Sequence, residues 1–477
     1  MNLKKLTITE ARKALDAKEF SALELTDAYL KNIAAKDGDI HAYLEVWEKE
    51  ARQEAKRADE VIARGEAQAL TGIPLAVKDN ILIEGRIASA ASKMLEHYRA
   101  TYDATVIKKL KAQGVVFLGR TNMDEFALGG STENSAFGPT KNPHDTSRVP
   151  GGTSGGSAAA VAANMALAAL GSDTGGSIRQ PSAFCGVVGL KSTYGTVSRF
   201  GLIAAASSLD QIGTIGKTTG DAKILFDAIA GHDENDSTSL PDAAANMQQP
   251  KTIGVPRAFL REGIDADVLA AFERTLDQLQ TKGYSIVDIE LPSLQYALAA
   301  YYIINPAEVS TNLARFDGIR YGHSVAADTI GGTYTRSRGT GFGPEVRRRI
   351  LTGTFVLSAG YADAYYRKAR ATRELIRSDF DVAFGKVDAI CLPTSPIAPW
   401  KIGEKADPVA MYAADIFTVP LNLAGVPGLS VPSGSVERPS TSLGVNEGKQ
   451  LPIGFQIIAS HRGEETLFAI GSDVERS

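Results

Sequence analysis

Gly72-Ile73-Pro74-Leu75-Ala76-Val77-Lys78 is the stretch on which the fold turns. Residues 73–77 are an unbroken apolar run closed by one lysine, which reads as a short strand buried on both faces and ending at Lys78. Just downstream, residues 103–113 carry helical spacing, with Asp103 as the expected cap and Gly114 as the stop. Residues 115–118 then return as a strand. Strand, helix, strand is the rhythm of βαβ crossovers, and it predicts an α/β protein with a mostly parallel sheet covered on both faces.

Outward from there, the first 70 residues read as helical. Ser21 with Glu24 fits a capping box, and a charged helix is expected over 48–63, with Gly65 as its stop. Beyond the central region, strands are expected at 252–255, 285–289, 389–392, 429–431 and 453–459, and helices at 267–281, 294–316 and 344–378. The expected division is an N-terminal helical region, 1–70, packed on a core of 71–477, with a loop or linker near 233–250. No internal repeat is present, so solenoids and propellers are excluded.

At 477 residues the chain needs two or three structural units or one large sheet. Its 44% apolar and 22% charged residues exclude wholesale disorder. A net charge of −4 is too near neutral for binding nucleic acid through the chain's own field, though a partner could hold it. Two cysteines, Cys185 and Cys391, make neither a disulfide framework nor a Cys-based zinc site. The N-terminus has no apolar signal core, and no apolar run reaches a membrane span of roughly 18–20 residues. The expectation is a cytoplasmic enzyme without membrane contact.

Residues 151–190 are the most unusual part of the chain, and their glycine density signals either tight packing or a backbone-lined site. Glycines recur at 151, 152, 155, 156, 171, 175, 176, 186 and 189, and 157–169 reads as a helix of small residues buried on every side. A phosphate-binding loop would need a lysine that this segment lacks, and a dinucleotide fingerprint would need a strand where Pro150 stands. Gly152-Thr153-Ser154-Gly155-Gly156 does fit the Gly-x-Ser-x-Gly elbow, and His461 could complete a Ser154–His461 triad, although Pro150 again breaks the strand. The other route is a lysine base. An ammonium with a pKa of about 10.4 must be desolvated to accept a proton near pH 7, and Lys78 closes a buried strand. A lysine snorkelling out at the strand end is the bland alternative.

Three separated segments resemble the amidase signature family: 72–80, 150–157 and 171–181. The resemblance implies α/β/α layers around a large mixed β-sheet. It also implies a Ser–(cis)Ser–Lys triad, with Lys78 as base, Thr153 at the bridging position and Ser177 as nucleophile. The family carries serine where this chain has Thr153; threonine keeps the hydroxyl, and Ser154 is the fallback relay. Backbone N–H groups of Thr174, Gly175 and Gly176 are the expected oxyanion donors. Asp173 and Arg179 are expected to hold the nucleophile loop.

Within the family, 121–127, 131–139, 314–322 and 411–416 are similar to the glutaminase subunits of tRNA-dependent amidotransferases. That resemblance implies hydrolysis of glutamine's amide and transfer of ammonia within a complex that also holds B and C subunits. Transfer RNA would be bound mainly through the B subunit. No cofactor or metal is expected on this chain, ATP and Mg being used by a partner. Asp415 is the expected acid for the substrate's ammonium, and Arg348, chosen from Arg347-Arg348-Arg349, the expected base for its carboxylate. The alternatives are a stand-alone amidase acting on a small amide and a scaffold whose site decayed at Thr153.

Overall fold

Eleven strands form one sheet in a computed structural model, which describes residues 1–241, 250–260, 263–405, 407–439 and 448–476. The strands are β1 (Tyr43–Val46), β2 (Pro74–Lys78), β3 (Val116–Thr121), β4 (Ala168–Asp173), β5 (Val188–Lys191), β6 (Gln211–Gly216), β7 (Thr252–Val255), β8 (Ser285–Asp288), β9 (Ala389–Pro393), β10 (Gly428–Pro439) and β11 (Gly448–Ala459). Their order across the sheet is β1-β3-β2-β4-β6-β5-β10-β11-β9-β7-β8.

The parallel rhythm holds on two flanks only. β2 runs parallel to β3 and β4, and β7 runs parallel to β8 and β9. The middle, from β4 through β6, β5, β10 and β11 to β9, is antiparallel throughout. The sheet is therefore mixed, as the family resemblance implies, and not mostly parallel. β2, β4, β5, β6 and β9 are buried along their whole length; β2 and β9 read as apolar runs without alternation, whereas β4, β5 and β6, broken by Gly, Ser, Thr and Gln, were not expected as strands.

The N-terminal region is not wholly helical. Ser21 forms its capping box with Glu24, and the helix Glu48–Ala63 forms as expected. Between them, however, β1 joins the sheet edge by pairing with β3. Ile8, Leu25 and Ile33 belong to the same apolar cluster as Val77, Leu170 and Ile457, so this region and the sheet share one core.

Other expectations need correction. Asp103 does not cap the helix Thr105–Ala112; its carboxylate accepts the Glu84 N–H and the Lys111 ammonium. The helix expected over 157–169 is Gly155–Ala162, buried almost throughout. Asn164 at φ +58° ends it, and the N–H groups of Met165 and Ala166 turn back onto Ala160 O, so the chain enters β4 instead. The stretch 344–378 divides into Pro344–Leu357 and Lys368–Phe384, with a π-helical turn at Ala362–Arg367. Residues 242–249 of the expected linker lie outside the described residues. Residues 233–241 form a tied loop, in which Asp233 accepts the Ser198 and Thr105 hydroxyls and Asp236 pairs with Arg199. Among the described residues, no helix is long and apolar enough to cross a membrane.

Candidate active site

β2 and β4 are adjacent and parallel, so the loops leaving their carboxyl ends emerge on one edge of the sheet. Lys78 ends β2 and Asp173 ends β4. The Gly-rich turn ahead of the helix Gly155–Ala162 reaches the same place, because Ser154 N–H bonds Ser177 O at 3.1 Å. Three segments far apart in sequence therefore meet at one point.

Lys78 is fully buried and its amine faces hydroxyls. Nζ lies 2.7 Å from Thr153 Oγ1, 2.8 Å from Ser154 Oγ and 2.9 Å from Ser172 Oγ, with Ser172 O at 3.3 Å. Burial pulls its pKa down to about 7, against the upward pull of Asp124, Asp173 and Asp210. A deprotonated amine keeps two N–H donors and gains a lone pair. The hydroxyls around it are not equivalent. Ser154 Oγ donates its proton to Ser172 O at 3.0 Å and accepts the Ser172 N–H at 3.3 Å. Ser172 Oγ also accepts from Asn80 Nδ2 at 3.0 Å. Thr153 Oγ1 has Lys78 as its sole hydrogen-bond partner among the described residues, so its proton is free to turn toward the lone pair.

Ser177 lies on the loop between β4 and the helix Arg179–Cys185 and is 8% exposed. Its hydroxyl makes no hydrogen bond among the described residues, to Thr153 or to any other group. Asp173 builds the loop: Oδ1 accepts Gly176 N–H at 2.9 Å, and Oδ2 accepts Ile178 N–H at 3.1 Å. Burial pushes the Asp173 carboxyl up, but the Arg179 guanidinium at 3.0–3.1 Å outweighs it and holds the group well below the usual carboxylate range. Arg179 and Asp173 thus hold the loop, as expected. Gly176 needs its φ of +133°, and a Cβ there would lie 2.3 Å from Thr418 Oγ1.

The expected oxyanion donors are therefore not equally available. The Gly176 N–H is spent on Asp173, whereas the N–H groups of Thr174, Gly175 and Ser177 have no hydrogen-bond partner among the described residues. The cis peptide implied at the bridging position is also absent: every described peptide bond is trans, and Gly151 and Gly152 make the turn at φ +83° and +52°.

A second cluster adjoins the first. Asp415 is buried in the turn Ala413–Asp415, where Oδ1 accepts Gln180 Nε2 at 3.2 Å and Oδ2 accepts the Tyr302 hydroxyl at 3.0 Å. Burial pushes its carboxyl up to about 7. The arginine turned inward beside it is Arg349, not Arg348. Arg349 is buried, bonds Glu345 Oε1 at 2.7 Å and Asn305 Oδ1 at 3.0 Å, and lies 4.7 Å from the ring centroids of both Tyr302 and Tyr412. Arg348 pairs with Glu345 from outside, its side chain 46% exposed. Helical phase explains this: Val346, Arg349, Gly353 and Val356 form the buried stripe of Pro344–Leu357, and position 348 falls off it. That period was readable in the sequence. Ser172, Asn80 and Gln180 were not singled out, although each stands inside a quoted motif.

The Ser154–His461 alternative finds no support in the geometry. No hydrogen bond joins the two residues, and the charged groups acting on His461 are Glu464, Arg462, Arg377 and Lys191.

A buried amine of lowered pKa against a threonine hydroxyl, on a turn bonded to the loop that carries Ser177 and unpaired N–H groups, is an arrangement suited to acyl transfer. Residues 24–468 match the family described as Amidase, and the chain belongs to that family. It is 51% identical to the A subunit of the Glutamyl-tRNA(Gln) amidotransferase of Thermoanaerobacter pseudethanolicus, over 100% of this chain and 97% of the relative. The corresponding protein of Koribacter versatilis is 49% identical, over 100% and 99%. The crystal structure of the same A subunit from Thermotoga maritima shares the fold at a TM-score of 0.80 and 40% identity, covering 100% of this chain and 96% of that one. The peptide amidase of Stenotrophomonas maltophilia also superposes at 0.80, with 27% identity and 100% and 97% coverage.

Proposed function

We propose that this chain is the glutaminase subunit of a glutamyl-tRNA(Gln) amidotransferase. It hydrolyses the side-chain amide of glutamine and hands the ammonia to a partner. The observation that carries the chemistry is the Lys78 amine, buried 2.7 Å from a Thr153 hydroxyl that has no other partner among the described residues, with Ser177 clasped against the same turn. The roughly 50% identity to relatives of that name over essentially the whole chain supports the choice of substrate.

Neutral Lys78 takes a proton from Thr153 as Thr153 takes one from Ser177, whose oxygen attacks the amide carbon. N–H groups of Thr174, Gly175 and Ser177 hold the oxyanion, and the loss of one such donor costs about 3–4 kcal/mol in barrier. The relay then protonates the departing ammonia, and water releases glutamate from Ser177. Asp415, ionised, receives the substrate's α-ammonium, and Arg349 its carboxylate. The acceptor chemistry belongs elsewhere: the B and C subunits complete a cytoplasmic heterotrimer, with ATP and Mg used by whichever of them holds the tRNA.

The test is glutaminase turnover of the wild type and Ser177→Ala, alone and with coexpressed partner subunits, together with mapping of the serine labelled by an acylating glutamine analogue. Loss of turnover in Ser177→Ala, label on Ser177 and stimulation by partners are expected. Rapid hydrolysis of small amides without partners, and none of glutamine, would show a stand-alone amidase instead.

A further inference from the structure

Between the relay turn and the acid of the second cluster lies one side chain that neither site uses. Gln180 is fully buried on the first turn of the helix Arg179–Cys185, three positions after Ser177. Its Oε1 accepts Gly152 N–H at 2.7 Å, and its Nε2 donates to Asp415 Oδ1 at 3.2 Å, with Ala414 O at 3.5 Å. Gly152 is the residue before Thr153, so one planar amide connects the relay turn to Asp415.

The chemistry of the two ends fixes the residue type. A backbone N–H needs an acceptor and a carboxylate needs a donor, and the primary amide of Gln180 serves both at once, in one orientation. Glutamate would face Asp415 with a second carboxylate, and leucine would leave both ends unmet. The packing leaves the turn no room to drift on its inner side: Gly152 holds φ +52°, and a Cβ there would lie 2.4 Å from Pro181 Cδ and 3.2 Å from Ser177 Cα. Gly152 N–H also bonds Gly130 O at 3.0 Å. The turn therefore keeps one anchor without Gln180; what it loses is its tie to Asp415.

We propose that Gln180 is a positioning residue that sets the ammonium-binding Asp415 in register with the Thr153 relay, so that an amide bearing an α-ammonium is delivered to Ser177 in reacting geometry. This rests on the reading that Asp415 receives the ammonium of glutamine. Gln180 touches no reacting atom. Its effect is confined to substrates that use Asp415, in how they bind and in kcat, because a misplacement of about 1 Å costs on the order of 100-fold in rate.

The experiment compares L-glutamine with glutaramate, which has the same amide and carboxylate but no α-ammonium. The protein is assembled with its coexpressed partners as wild type, Gln180→Leu and Gln180→Glu, with thermal melting as the folding control. Gln180→Leu is expected to lower kcat for glutamine about 30-fold and for glutaramate less than about threefold. An equal fall for both substrates, or none for glutamine, overturns the inference, because plain support of the turn would not distinguish them. Should Gln180→Leu fail to fold, Gln180→Glu, which keeps the acceptor toward Gly152, is expected to show the same split.

Affinity in a Ser177→Ala background reads the register without turnover. There the preference for glutamine over glutaramate narrows about tenfold when Gln180→Leu is added. An unchanged preference sinks the inference even in a working glutaminase. A narrowed preference beside full turnover in Ser177→Ala sinks the proposed chemistry and leaves the register standing.

Discussion

Lys78 and Lys191 are both fully buried at strand ends, and burial pulls both amines down to about 7. Only their surroundings differ. Lys78 faces the hydroxyls of Thr153, Ser154 and Ser172, whereas among the described residues Lys191 bonds a single backbone carbonyl, Ser192 O, at 2.9 Å, with Arg179 adding repulsion. A carbonyl can accept a hydrogen bond but has no proton to give. A depressed amine is thus a general base only where a hydroxyl can deliver to its lone pair. Burial lowers Lys191 in the same direction, but among the described residues no hydroxyl reaches its amine, so it lacks the proton route that Lys78 has.

The sharpest way to break this comparison is to remove each amine in turn. Lys78→Met is expected to lower glutaminase kcat by about 10³–10⁴-fold, the contribution of a general base together with its relay. Lys191→Met is expected to leave kcat within about threefold, since replacing a buried charge by an apolar side chain of similar volume is often neutral for stability. Comparable losses in the two variants would mean that burial, and not the hydroxyl array, marks the base.

Within the Lys78 cluster the hydroxyls separate next. Thr153→Val keeps the shape and removes the relay, and should cost about 10²–10³-fold in kcat, whereas Thr153→Ser should remain within about threefold. Ser154→Ala removes a hydrogen bond but not the proton route, and should cost less than about tenfold. A reversed order would hand the relay to Ser154.

For the second cluster, Arg349→Met should raise KM for glutamine by about 10²-fold through loss of a buried charge-assisted contact, and Arg348→Met should change it less than about threefold. Steady-state kinetics on the two variants decides which arginine meets the substrate.

The smallest effect is the pH dependence. Lys78 must be neutral to act, and its pKa is lowered to about 7, so kcat should rise with pH through about 7 and fall about tenfold per unit below it. Asp415, raised to about 7, must be ionised to hold an ammonium, and this adds a second limb of the same sign in kcat/KM for glutamine. Glutaramate, with no ammonium, should lose that second limb. A glutaramate profile as steep as that for glutamine would contradict the assignment of Asp415.

How far the sequence could be read depended on whether a feature was local. The Ser21 capping box, the buried strand ending at Lys78 and the order of the three family motifs depend on near neighbours or fixed spacings, and all were legible. The Asp103 cap misled, because its carboxylate found Lys111 and the Glu84 N–H in place of its own helix end. The small-residue run 157–169 misled too, since apolar residues without periodicity serve a buried helix and a buried strand equally well.

The sequence by itself determined the class of chemistry. A chain with only six histidines, carrying Lys78, Thr153 and Ser177 in separated motifs that resemble one family, had its candidate nucleophile, relay and base named ahead of any knowledge of the fold. Only the tertiary structure decided which hydroxyl keeps a free proton, which arginine turns inward and which side chain ties the two clusters together. The reason is geometric. Those choices depend on strand register and helical phase bringing residues as distant as Gly152, Gln180 and Asp415 to within about 3 Å, the range over which a hydrogen bond exists at all.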